Sequence, residues 1–73
     1  MDAFQEFKRF VERKWPNVNW RFIEKPQPRG CELQKWWALY IKKYNPPPFV
    51  VGIGLYRCGG KRKIASIGVA KRK

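Results

Sequence analysis

The sequence predicts an α+β fold, with one N-terminal helix packed on an antiparallel sheet of three or four strands. Two periodicities and a set of breakers carry that reading. Apolar residues recur at helical spacing over the first fifteen positions, and beyond Pro16 they recur in twos. Between the alternating stretches stand Pro-, Gly- and Asn-rich breaks, which withhold backbone donors or admit positive φ. At 73 residues the chain makes a single small basic domain, 1–73, near the lower limit for a self-supporting core. Four Trp, five Phe and three Tyr offset the short length, because each ring removes a large apolar area from water.

Residues 2–15 read as the helix. Asp2 is a suitable N-cap, and Gln5 can reach back towards it. Ala3, Phe4, Phe7, Phe10 and Val11 form the apolar stripe, Arg13 and Lys14 complement the dipole in the last turn, and Pro16 stops the helix. Val18–Lys25 alternates as a strand, with Val18, Trp20 and Phe22 sharing a face. Pro26–Gly30 is a loop by composition.

Gln34–Tyr44 is the longest strand-like run, and the chain is organised around it. Trp37, Leu39 and Ile41 fall on one face, expected to be core; Trp36, Ala38, Tyr40, Lys42 and Tyr44 fall on the other. Asn45–Pro48 ends the run, since successive prolines cannot continue a ladder. Phe49–Arg57 is the next strand, with Val51, Ile53 and Leu55 on one side and Val50, Gly52, Gly54 and Tyr56 on the other. Two glycines on one face leave backbone bare for a bulge, a bend or a close neighbour. Gly59-Gly60 suits a two-residue hairpin turn. Arg62–Ala70 fits a strand through Ala65, Ile67 and Val69, and a short helix through Ile64, Ile67 and Gly68; its β-branched residues favour the strand. Lys71–Lys73 reads as a flexible tail.

The formal charge is +12, and its distribution is lopsided. The acids are Asp2, Glu6, Glu12, Glu24 and Glu32, and every charged residue after them is a cation. Such a load repels itself, and a polyanion relieves the repulsion. Nucleic acid is the first candidate partner, an anionic membrane the second and an acidic protein the third. No apolar run approaches the ~18 residues of a membrane span. MDAFQEFKRF has neither the apolar block nor the cleavage site of a secretory signal, so an intracellular setting (cytoplasmic, nuclear or virion-associated) is expected. Two cysteines and no His cannot supply the four ligands of a structural zinc site, and neither metal nor cofactor is expected. Cys31 and Cys58 are either joined or present as thiols, and a reducing compartment favours the thiols.

The candidate phosphate contacts are Lys35, Lys42, Lys43, Arg57, Lys61, Arg62, Lys63, Lys71, Arg72 and Lys73. Trp36, Tyr40, Tyr44 and Tyr56 form a candidate stacking platform for unpaired bases, at ~1–3 kcal/mol per base. One helix covers only one sheet face, so an aromatic outer face would need either a ligand or the second subunit of a homodimer. Without His, or any acid beyond Glu32, Ser-His-Asp and metal-carboxylate chemistry lack their parts, and the protein is expected not to be an enzyme. Non-enzymatic, weakly sequence-specific binding of DNA or RNA is therefore expected. The alternatives are an effector module gripping an acidic protein, and a His-free ribonuclease in which Lys, Arg and Tyr act on RNA; the sheet ending in a basic segment is similar to RelE-type mRNA-cleaving toxins.

FQEFKRFVERKWPNVNWRFIEK also resembles the first helix and first strand of the double-stranded-RNA-binding domain family, and GGKRKIASIGVAKRK is similar to the Gly-x-Ser-Lys-Lys-x-Ala segment opening that family's last helix. The resemblance implies that Arg62 and Lys63 occupy the phosphate-clamping positions and Ala65 the packing alanine, with duplex RNA read by shape.

Overall fold

The computed structural model describes residues 2–73. Helix α1 (Ala3–Lys14) is followed by strands β1 (Trp20–Glu24), β2 (Glu32–Leu39), β3 (Phe49–Cys58) and β4 (Lys61–Arg72). The strands form one antiparallel sheet in the order β1-β4-β3-β2, and α1 packs on one of its faces. Both the fold class and the N-terminal helix are as the sequence predicts.

Local chemistry sets both ends of α1. Asp2 is extended (φ −79°, ψ 123°), and its Oδ1 accepts from Phe4 N at 3.0 Å. Gln27 Nε2 donates to the same oxygen at 3.4 Å, tying the loop after β1 to the helix start. At the other end Trp15 N donates to Val11 O at 3.0 Å before Pro16 breaks the helix. The stripe of Ala3, Phe4, Phe7 and Val11 is buried against the sheet.

Glycine decides which sheet face takes the helix. Gly52 and Gly68 are register partners on β3 and β4. A Cβ at Gly52 would stand 2.8 Å from Phe7 Cδ1, and one at Gly68 2.7 Å from Phe4 Cδ1. Two Phe rings thus lie in a trough of bare backbone, and α1 is the close neighbour that the β3 glycines accommodate. Beside the trough Trp36 pairs with Gly54 and Ala38 with Gly52, so the large ring of β2 also lies across from a glycine.

This reverses the expected core face of β2. Trp36, Ala38 and Tyr40 pack against the core, whereas Leu39 is 52% exposed and Ile41 48%. The aliphatic face is the more hydrophobic one, but only the glycine face has room for α1. Packing volume outweighs hydropathy here.

The ambiguous last segment is a strand, and β4 sits between β1 and β3. Gly52 pairs with Gly68 but Ile53 with Ser66, which leaves Ile67 as the extra residue of a bulge. The bulge turns Ile67 into the core, and Ser66 Oγ lies 3.2 Å from Gly52 O and 3.4 Å from Gly68 O. The expected tail at 71–73 is instead anchored. Lys71 pairs with both Arg21 and Phe49, Arg72 N donates to Pro48 O at 2.9 Å, and Lys73 N donates to Asn19 O at 3.1 Å.

Cys31 and Cys58 are joined, which corrects the expectation of thiols. Pairing of Glu32 with Arg57 sets the two cysteines opposite each other, with Cα atoms 4.3 Å apart. The bond fastens the loop before β2 to the end of β3.

Candidate nucleic-acid interface

The seam between the C-terminal half of α1 and the edge strand β2 opens into two adjoining hollows. The larger, about 540 Å³, is lined by Glu6, Arg9, Phe10, Arg13, Lys14 and Trp36. The smaller, about 220 Å³, is lined by Lys14, Trp15, Tyr40, Lys42, Tyr44 and Asn45. Lys14 borders both, so the two hollows adjoin across its side chain; together they make the α1/β2 groove, with rings on its floor and, Glu6 apart, cations as the charged residues of its walls.

Helical spacing builds the α1 wall. Arg9 and Arg13 stand four residues apart on one exposed face, beside half-buried Phe10. The floor is held edge to face: Phe10 and Trp36 have centroids 5.9 Å apart at 83°, Phe7 and Trp36 6.3 Å at 88°, and Trp15 and Tyr40 5.0 Å at 90°. Trp15 Nε1 donates to Asn45 Oδ1 at 3.1 Å, which fixes the 40–48 loop against the helix end. Lys14 Nζ stands 5.6 Å from the Trp15 ring centre and Lys43 Nζ 5.8 Å from that of Tyr44, so both cations lie close to aromatic rings.

The four ring residues expected as a platform have separate fates. Tyr44 is 49% exposed at the groove mouth. Trp36 and Tyr40 are half-buried, so α1 supplies part of the cover expected from a ligand or a second subunit, and the rest of each ring lines a hollow. Tyr56 is 1% exposed and cannot stack on a base, which corrects its place in the platform. It lies in the core, its hydroxyl without a hydrogen-bond partner among the described residues. Burial, and secondarily the charge of Asp2, raises its pKa above the ordinary 10.0.

The ten expected phosphate contacts do not converge on one patch. Lys42 lines the groove, with Lys43 exposed beside it in the same loop. Arg57 is paired with Glu32 at 3.7 Å. Gly59–Lys73, likened above to the start of a helix, is the hairpin turn and β4, so consecutive cations fall on opposite faces. Lys61 and Lys63, opposite Cys58 and Tyr56, are on the helix side, and Arg62, opposite Arg57, is on the other. Lys35 and Lys71 also lie on that outer face, while Arg72 pairs with Trp20 and its Nη1 donates to Pro46 O at 3.0 Å.

Arg9, Arg13 and Lys14 were missing from the expected site. The dipole argument accounts for Arg13 and Lys14 without any ligand, and Phe10 reads as core from its spacing alone. The available signal was the Arg9/Arg13 spacing next to an aromatic residue at the margin of the apolar stripe.

A third hollow, about 630 Å³, is lined by Asp2, Glu24, Lys25, Pro26 and Gln27, and its two carboxylates make it a poor phosphate site. Among the described residues no cluster of three or more His, Cys, Asp or Glu could hold a metal ion, and no helix is long and apolar enough to cross a membrane. In comparisons with known proteins, no family model, no curated protein and no solved structure matches this chain.

Proposed function

We propose that this chain is a non-enzymatic nucleic-acid-binding protein whose contact surface is the α1/β2 groove. Arg9, Arg13, Lys14 and Lys42 neutralise phosphates along the walls, and Trp36, Tyr40 and Tyr44 offer ring surface to unpaired bases. The observation that carries this reading is the coincidence of aromatic floor and cationic wall in one groove. Strands with unstacked bases use both parts, whereas a regular duplex uses only the charge. The Lys61–Lys63 hairpin tip extends the phosphate contacts beyond the groove. Sequence preference is weak, because rings stack on any base. The Cys31–Cys58 bond suits an oxidising setting better than a reducing cytosol, which weighs against a cytoplasmic location.

The test is fluorescence anisotropy with single-stranded and duplex DNA and RNA of equal length, titrated with salt. Single strands are expected to bind more tightly than duplexes. The four groove contacts alone predict a log–log salt slope of about −3 on single strands, at about −0.7 per contact, and contacts from the hairpin tip steepen it. No uptake of any oligonucleotide at low ionic strength would end the proposal. Preference for duplex RNA, lost in Arg62→Ala with Lys63→Ala, would move the site to the hairpin tip. Cleavage of the RNA would restore the ribonuclease reading.

A further inference from the structure

The sheet face turned away from α1 has a different composition. Register places its side chains in rows across the strands. Leu39, Val51, Val69 and Ile23 make one row; Trp37, Ile53 and Ser66 the next; Lys35, Leu55 and Ile64 a third. Ile64 is 63% exposed, Leu39 52% and Phe49 44%, and among the described residues no element covers them. The ends of this apolar band are cationic. Phe49 is flanked by Lys71 and then Arg21 at one end, and Arg57 and Arg62 stand side by side at the other. Of the two acids in the strands, Glu24 pairs with Gly68 on the helix side, and Glu32 is held by Arg57.

We infer that this outer face docks peripherally on an anionic lipid bilayer. Its aliphatic centre meets the acyl boundary, and Arg21, Lys35, Arg62 and Lys71 meet the headgroup phosphates. Charge selects this occupant. In either aligned packing of two copies, cationic ends would lie over cationic ends, which disfavours a second copy. Shape separates lipid from an acidic protein. The three hollows described above lie along α1 or at the sheet margin and not on this face, and a fluid bilayer needs no socket. Trp37 is the one aromatic ring in the three central rows, so nucleic acid would find little here to stack on. Attraction between juxtaposed cations and an anionic leaflet adds to apolar burial and falls off within a Debye length.

The experiment is co-sedimentation of the full, disulfide-bonded chain with phosphatidylcholine vesicles, with and without phosphatidylglycerol. Binding to the mixed vesicles and little to phosphatidylcholine alone is expected. Leu39→Ser combined with Ile64→Ser removes exposed apolar surface and should weaken that binding about tenfold or more, with the far-ultraviolet circular dichroism unchanged. Brominated lipid should quench tryptophan fluorescence, and Trp37→Phe should abolish the quenching, since Trp15, Trp20 and Trp36 pack on the helix side. Arg9→Ala with Arg13→Ala should keep the quenching while losing oligonucleotide affinity, which separates this proposal from that for the groove. The inference is overturned by no uptake on mixed vesicles at low salt, by equal uptake of the double serine variant, or by quenching that survives Trp37→Phe. A dimer in sedimentation equilibrium that the serine variant dissolves would assign the face to a second copy and overturn it too. Binding to polyglutamate as tight as to vesicles, and insensitive to the serine changes, would reduce it to charge alone.

Discussion

The Tyr56 hydroxyl is buried without a hydrogen-bond partner among the described residues, an arrangement that costs about 1–3 kcal/mol relative to a satisfied one. Tyr56→Phe should therefore leave stability near neutral pH unchanged or raise it by about 1 kcal/mol, as read by urea unfolding. The raised pKa adds a second, signed expectation. Above pH 10 the unfolded chain gives up the phenolic proton first while the folded chain retains it, so the folded state binds more protons and stability falls as pH rises. That loss should be smaller in Tyr56→Phe; equal alkaline losses in the two proteins would contradict the assignment. Gly52 makes the opposite case, a position with too little room. A Cβ there would stand 2.7 Å from Ile67 Cγ1 and 2.8 Å from Phe7 Cδ1, so Gly52→Ala should destabilise by about 1–3 kcal/mol through overpacking. Trp36→Ala is a poor probe of base stacking, because the ring also supports Phe7 and Phe10. Tyr44→Ala, at the groove mouth, tests stacking with little cost to the core.

Elements were legible in the sequence wherever local chemistry decides them. Asp2 and Pro16 bracket α1, Gly59-Gly60 closes the last hairpin, and the β-branched residues of 62–70 mark a strand. Which face of β2 meets α1 was not legible from β2 alone. Alternation assigns two faces, and hydropathy favours the one with Leu39 and Ile41. The answer lay on other strands, in the trough at Gly52 and Gly68 and in the glycine opposite Trp36. The disulfide was hidden for a related reason, since only the register of β2 on β3 brings Cys31 to Cys58. Serine at both cysteines should cost about 3–4 kcal/mol from loop-closure entropy over a separation of 27 residues, measured as a shift in the urea midpoint. The candidate groove is likewise a property of two elements together. Arg9→Ala with Arg13→Ala should leave the unfolding midpoint close to unchanged. The same pair should lower single-strand affinity about tenfold at moderate salt and flatten the salt slope by about 1.4.

For the whole molecule, the charge was readable from composition but its arrangement was not. The two proposed contact surfaces lie on opposite sides of a thin body whose principal extents are 41 × 22 × 16 Å. The helix side combines cations with rings, and the far side combines cations with aliphatic residues. On the two proposals, one electrostatic excess would serve two kinds of polyanionic surface, and each activity should be removable by substitutions that spare the other. The order of the strands has a consequence for biosynthesis. The last of the four strands of this sheet in chain order, β4, lies between β1 and β3 and is the ladder neighbour of β1. A nascent chain lacking 61–72 holds β1 with no partner and the Phe4 site with no floor. Until residues 61–72 are in place the β2–β3 hairpin stays open beside an unpaired β1, so this sheet closes in one step, when β4 pairs with both neighbours.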